Sequence, residues 1–318
     1  MAFDALVSKK AGALAALIAA AGVSLSPIPA DARPAAPTGR QAAAPARKLP
    51  GGLSALAWMV ADADTGKVLA GRNQHRRLAP ASTLKTLFAV TVLPKFSSGR
   101  VRQVSAGDLA GLGSGSSVVG VRQGQRYTVA DLWRGVFLRS GNDAVHVLAA
   151  MNGGWSATAQ EMQQTARRLG ARDTTVKSPD GYDTPGQVSS AFDLTVFARA
   201  GLANADFARY CSTTRAGFPA AGGGTLQIEN TNRMLVGSHG LPRYPGIIGV
   251  KNGYTSKAGN TLIAAARRNG HTLIATVLNP QSGEANGVYK EAGALLDWGF
   301  NTVTPPEPVS RGESDDEE

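Results

Sequence analysis

Cysteine is almost absent. Cys211 stands alone in 318 residues, so neither a disulfide framework nor a thiolate metal site can be built within the chain. Histidine is scarce as well: His75, His146, His239 and His271 show no ligand spacing of the His-Glu-x-x-His kind, and read as surface or packed residues with no metal site. Charged residues make up only 18% against 43% hydrophobic, too little charge for a disordered polymer and enough apolar material for a proper core. Internal repeats are missing. No second hydrophobic span follows the body of the chain, so stable membrane insertion through the C-terminus is not expected.

What is present begins with a punctuated N-terminus. Lys9 and Lys10 precede an apolar run over residues 11–23, and Ala30-Asp31-Ala32 supplies a small-x-small cleavage pattern. The run falls short of the roughly 20 residues that span hydrocarbon, so residues 1–32 read as a secretory signal peptide and the chain as exported. Residues 33–50, rich in Pro, Ala and Arg, suit an extended tether. At the other end, Pro305, Pro306 and Pro308 precede an acidic run, and residues 302–318 are expected to be a disordered tail. From Val303 onward six acids face Arg311, a net of −5, which leaves +15 on the remainder of a chain of net +10. An exported basic body suggests anionic surroundings such as wall polymers or a lipid surface. Its lysines and arginines are dispersed, and export removes nucleic acid as a partner.

Between Leu53 and Phe300 lie about 250 residues, one large domain or two interleaved lobes. Apolar runs at 56–61 and 68–69, separated by Asp62-Ala63-Asp64-Thr65-Gly66-Lys67, predict a β-hairpin. Runs at 261–266 and 272–278, joined by Arg267-Arg268-Asn269-Gly270, predict another. The middle is helical, with apolar steps of three and four residues over 129–151, 157–169 and 192–202, and a closing helix over 291–300. Strands from both chain ends around a helical interior imply one antiparallel sheet covered by helices, an α+β fold.

Pro80-Ala81-Ser82 precedes a run without glycine or proline, placing Ser82 at or just inside a helix N-terminus. Lys85 follows three residues on, about one turn away on the same face. A serine hydroxyl is a poor nucleophile at neutral pH and needs a neighbour to take its proton. A solvated lysine is protonated and cannot do so, hence the site must be partly desolvated or have positive charge nearby. A chain of this composition contains about one Ser-x-x-Lys by chance, so the pair alone is weak. Two further elements follow in order: Ser140-Gly141-Asn142 at a helical break, and Lys251-Asn252-Gly253 entering the C-terminal strands. That ordered set is a signature of penicillin-binding proteins and class A β-lactamases.

With these motifs the chain resembles the D-alanyl-D-alanine carboxypeptidases, the low-molecular-mass penicillin-binding proteins. The likeness includes Asp64-Thr65-Gly66-Lys67-Val68-Leu69 and Lys251-Asn252-Gly253-Tyr254-Thr255, and spans most of 53–300. It implies a β-lactamase/transpeptidase-like fold, a five-stranded antiparallel sheet flanked by helices, with a helical lobe alongside and the site in the cleft between. Residues 51–301 are then the catalytic domain. The resemblance makes Ser82 the acylated nucleophile, Lys85 its proton acceptor and Ser140 the relay to the leaving D-alanine. It implies substrate contacts from Asn142, Lys251, Asn252, Gly253, Tyr254 and Thr255, with backbone N–H groups of Ser82 and Tyr254 as the oxyanion hole. No cofactor is implied. The implied substrate is a peptidoglycan stem peptide on the cell-wall side of the cytoplasmic membrane, and β-lactam antibiotics are the implied covalent inhibitors.

One departure is visible: the family usually has threonine or serine where this chain has Asn252. An asparagine amide can donate to a carboxylate, and Thr255 offers a hydroxyl nearby. The segment Ser178-Pro179-Asp180-Gly181-Tyr182-Asp183 resembles the loop beside the cleft but lacks the glutamate with which class A β-lactamases activate their deacylating water, so inhibition is expected in place of penicillin destruction. Loop aspartates such as Asp180 and Asp183 usually bond to their own backbone. The alternatives are β-lactamase or D,D-endopeptidase activity on the same fold, and a non-catalytic wall-binding protein.

Overall fold

The computed structural model describes residues 48–303. The signal segment, most of the tether and the acidic tail beyond Val303 lie outside the described residues. β1 (Ala57–Asp62) and β2 (Val68–Arg72) form the expected first hairpin. Its turn is pinned by Asp62, whose Oδ1 accepts from the Thr65 N–H and hydroxyl at 2.7 and 2.8 Å. A short 3₁₀ turn, Ala81–Leu84, runs into α1 (Lys85–Val92). A small ribbon of β3 (Val101–Gln103) and β4 (Arg126–Thr128) precedes α2 (Val129–Arg139), α3 (Asn142–Met151) and α4 (Trp155–Arg168). After α5 (Ala191–Leu202) and α6 (Ala205–Ser212), a second ribbon, β5 (Arg215–Pro219) with β6 (Thr225–Glu229), leads to the single turn α7 (Arg233–Val236). The chain then makes β7 (Ile247–Thr255), β8 (Gly259–Arg268) and β9 (His271–Leu278), and closes with α8 (Gly287–Val303).

The main sheet is five-stranded, antiparallel and ordered β2-β1-β9-β8-β7. Both chain ends meet at its centre, where Met59 and Ile263 each pair with Thr276. β7 is left as an edge, paired only through β8, with Lys251 opposite Ile263. Successive side chains of a strand point to opposite faces, and the core divides accordingly. Ile263, Ala265 and Ile274 face a cluster with Leu87 and Phe88 of α1 and Leu194 and Phe197 of α5. Leu262, Ala264, Leu273 and Val277 face Val288, Ala292, Leu295 and Leu296 of α8. Each fully buried leucine there contributes about 1.5–3 kcal/mol of transfer free energy.

The helical stretch expected over 129–151 is two helices. α2 opens with a capping box, Thr128 accepting from the Asp131 N–H and the Asp131 carboxylate accepting from Thr128. It ends where Ser140 turns into the left-handed region (φ 57°, ψ 27°), and α3 restarts at Asn142. This lobe is packed by aromatics, Phe88 against Trp133 at 5.3 Å and Phe137 edge-on to Phe207 at 5.1 Å. The closing helix is longer than its apolar pattern, running four residues further N-terminally and three further C-terminally than 291–300. The three-residue strands of the first ribbon carry no period that sequence could reveal.

Candidate active site

Ser82 lies in the 3₁₀ turn after Ala81, a buried residue held at φ 49°. The turn is fixed from beneath: Pro80 O accepts from the hydroxyls of Thr83 (2.5 Å) and Thr261 of β8 (3.1 Å). One turn on, Lys85 is 1% exposed, and its Nζ donates to Ser82 Oγ at 2.8 Å and to Asp180 O at 2.7 Å. Burial pushes this ammonium down to about 8, against the pull of the Asp180 and Asp143 carboxylates, which favour the charged form. The desolvation that a lysine base requires is therefore supplied by the core around α1.

Two glycines let neighbouring segments close on this turn. A Cβ on Gly253 of β7 would stand 2.7 Å from Ser82 N and 3.0 Å from Ala81 Cβ, so the edge strand lies flush against the nucleophile. A Cβ on Gly181, at φ 81°, would stand 2.1 Å from Ala81 O, so the loop after Ser178 closes the opposite side. Within that loop the Asp180 carboxylate accepts from Ser178 Oγ (2.7 Å) and the Tyr182 N–H (3.0 Å). Its side chain serves the loop, as expected of a loop aspartate, while its carbonyl receives Lys85.

The far wall is the junction of α2 and α3. Ser140 Oγ and Asn142 Oδ1 are buried without a hydrogen-bond partner among the described residues, a cost of about 1–3 kcal/mol each that a bound polar ligand relieves. Asn142 Nδ2 donates to Ser116 Oγ at 3.1 Å. Asp143 organises this wall. Its buried carboxylate accepts from the backbone N–H groups of Val119 (3.0 Å), Gly120 (2.8 Å) and Val121 (2.8 Å). A Cβ on Gly141 would be 2.7 Å from that carboxylate. Sequence reasoning stopped at Ser140 and Asn142; the acid immediately after them was the available signal for Asp143. Ser116 sits in a glycine- and serine-rich stretch with none.

β7 sorts the remaining candidates by face. Lys251, Gly253 and Thr255 share the face toward Ser82. Lys251 is 1% exposed, its Nζ donates to Asn252 O at 2.8 Å, and burial, reinforced by Lys85, holds it well below the usual lysine range. Thr255 Oγ1 donates to Asp183 Oδ1 at 2.8 Å and accepts from the Ala258 N–H at 3.1 Å. Its hydroxyl thus ties the strand end to the cleft loop. Asn252 and Tyr254 alternate onto the other face. Asn252 Oδ1 accepts from Thr231 Oγ1 at 3.1 Å, and its amide lies within hydrogen-bonding reach of the Tyr289 phenol. Tyr254 is 67% exposed, an aromatic rim beside the nucleophile. Among the described residues no helix is long and apolar enough to cross a membrane.

A sequence profile described as D-alanyl-D-alanine carboxypeptidase matches residues 41–282. The chain is 39% identical over 249 residues to D-alanyl-D-alanine carboxypeptidase DacB2 of Mycobacterium tuberculosis, covering 77% of this chain and 82% of that protein. It is similar in structure to a D-alanyl-D-alanine carboxypeptidase from Mycobacterium tuberculosis H37Rv, with TM-score 0.73, 37% identity, and coverage of 82% of this chain and 95% of that one. It also resembles penicillin binding protein 6B from Escherichia coli, with TM-score 0.71, 31% identity and 80% of each chain covered. Several other curated relatives are longer, and the chain spans 60–66% of their length.

Proposed function

Because the chain belongs to the D-alanyl-D-alanine carboxypeptidase family, serine peptidase family S11, we propose that it removes the terminal D-alanine from peptidoglycan stem peptides through an ester on Ser82. The observation that carries the reading is the 2.8 Å contact between Ser82 Oγ and Lys85 Nζ, with the lysine buried and its pKa pushed down to about 8. Near neutral pH a fraction of Lys85 is unprotonated and can accept the Ser82 proton. Ser82 Oγ then adds to the carbonyl carbon of the penultimate D-alanine. The resulting oxyanion is met by the N–H groups of Ser82 and Tyr254, the residues that flank the close approach of Gly253.

Collapse of the tetrahedral intermediate breaks the C–N bond, and Ser140 Oγ, buried and unpartnered, hands a proton to the departing amine. Asn142 Oδ1, likewise unpartnered, accepts from the substrate's peptide N–H. Lys251 is disfavoured as an ammonium in the empty cleft, and an arriving carboxylate raises its pKa again. Water then hydrolyses the ester. The Asp180 carboxylate is committed to Ser178 and Tyr182, leaving no free loop acid beside Lys85 to activate that water against a β-lactam, so penicillin stays on Ser82.

Residues 51–301 form the catalytic domain in this proposal, exported behind the signal segment to the wall side of the membrane where the stem peptide is found. The test is incubation of the chain lacking residues 1–32 with a D-Ala-D-Ala tripeptide. Release of one D-alanine per peptide is expected, and a folded protein that releases none sinks the proposal. Rapid turnover of nitrocefin would favour β-lactamase activity instead.

A further inference from the structure

The reaction proposed above needs a group that recognises the carboxylate of the leaving residue, and the two donors suggested by sequence are both occupied. The Asn252 amide is held by Thr231 and Tyr289, and the Thr255 hydroxyl by Asp183. Lys251 is buried, with its charge suppressed. Beside them, a cavity of about 540 Å³ is lined by Arg139, Arg233, Asn252, Gly253, Tyr254 and Tyr289, among others. It borders β7, the same strand that lies flush on Ser82.

The charges around this cavity are mostly spoken for. Glu229 pairs with Arg215 at 2.6 Å and Glu284 with Lys290 at 2.9 Å. Arg233 donates to Asn286 Oδ1 at 2.6 Å and lies 5.8 Å over the Tyr289 ring. Arg139 differs: it makes no ion pair or hydrogen bond through its side chain with any described residue, and it is exposed. It is also well placed. Arg139 is the last residue of α2, immediately before Ser140, and the preceding carbonyl, Leu138 O, accepts from the Thr231 N–H at 2.9 Å. Thr231 in turn holds Asn252 through its hydroxyl. One residue therefore ties the end of α2 to β7 across the cleft, fixing the base of Arg139 relative to the strand that substrate must follow.

We infer that Arg139 is the carboxylate-binding residue of this cleft, taking over the contact that the hydroxyl at position 252 makes in other family members, and that Thr231 is the residue that positions it. The inference rests on the proposed peptidase reading for the identity of the ligand, a peptide ending in a free carboxylate. A guanidinium with all its donors free offers the bidentate, charge-assisted contact that a carboxylate accepts best.

The test measures binding separately from turnover. In the Ser82→Ala chain, calorimetric titration compares an acetylated D-Ala-D-Ala tripeptide carrying a free C-terminal carboxylate with the same peptide amidated at its C-terminus. The carboxylate form is expected to bind about 10- to 100-fold more tightly, as for a hydrogen bond to a charged group. Adding Arg139→Gln removes most of that ratio, Arg139→Lys keeps part of it, and the melting temperature stays unchanged because the side chain packs against nothing. Thr231→Val reduces the ratio less than Arg139→Gln does. Equal binding of the two peptides, a ratio unaltered by Arg139→Gln, or a ratio abolished only by Arg233→Gln overturns the inference. Failure of the unsubstituted chain to release D-alanine would count against the peptidase reading alone, since the binding ratio is read without turnover.

Discussion

Replacing Gly253 by alanine tests how closely the site depends on backbone approach. The added Cβ would lie 2.7 Å from Ser82 N, 2.8 Å from Thr261 Oγ1 and 3.0 Å from Ala81 Cβ. Two of these neighbours belong to the nucleophile turn and the third is a buried hydroxyl bonded to Pro80 O, so none is the free end of a flexible side chain. Restoring an ordinary separation of about 3.5 Å requires β7 and the turn to part by roughly 0.8 Å. Overpacking of this kind costs about 1–3 kcal/mol, a fall in melting temperature of roughly 2–10 °C for a domain of this size. The larger effect is on chemistry. Ser82 N and Tyr254 N are the proposed oxyanion donors on either side of the contact, and a displacement near 1 Å in such a site costs on the order of 100-fold. The assay is the rate of Ser82 acylation by a fluorescent penicillin, with Gly99→Ala, where a Cβ meets nothing within 4 Å, as the control. Acylation of Gly253→Ala at the unsubstituted rate, with an unchanged melting temperature, would refute the reasoning.

The burial of Lys85 sets the pH dependence. Only its neutral form can take the Ser82 proton, so the acylation rate is expected to rise with pH, with an apparent pKa of about 8, and to level off above it; a rate flat from pH 6 to 9.5 contradicts Lys85 as the base. Lys85→Ala should lower acylation by about 100- to 10,000-fold while the protein stays folded, and near-normal labelling would remove the lysine from the mechanism. Asp143→Ala strips acceptors from the N–H groups of Val119, Gly120 and Val121. A loss of about 2–5 kcal/mol is expected in denaturant unfolding. The same change removes a carboxylate that favours charged Lys85, so the midpoint of the acylation profile should move to lower pH; a shift to higher pH would contradict that coupling.

The fold was legible where long-period patterns exist. The hairpins at the two chain ends appear as β1–β2 and β8–β9, because alternating burial leaves its mark on sequence, and the helices appear where apolar residues recur every three or four positions. The short ribbons β3–β4 and β5–β6 have strands of three and five residues, too few to establish a period. Ser82, Lys85, Ser140, Asn142 and Lys251 stood out because three motifs occur in order. What sequence could not reveal is which face of β7 each residue occupies. Asn252 and Thr255 looked equally able to meet a carboxylate, yet strand alternation and long-range partners, Thr231 for one and Asp183 for the other, commit both to holding the cleft together. Arg139 carried no signal either, since its relevance comes from a cavity shared with residues about 90 and 110 positions away.

The account stands on Ser82 as the nucleophile, and mass spectrometry of the protein after exposure to penicillin tests that most directly. A single adduct of the mass of one intact penicillin is expected on the peptide containing Ser82, and Ser82→Ala should abolish it. A folded protein that carries no adduct, or carries it on another residue, contradicts the account.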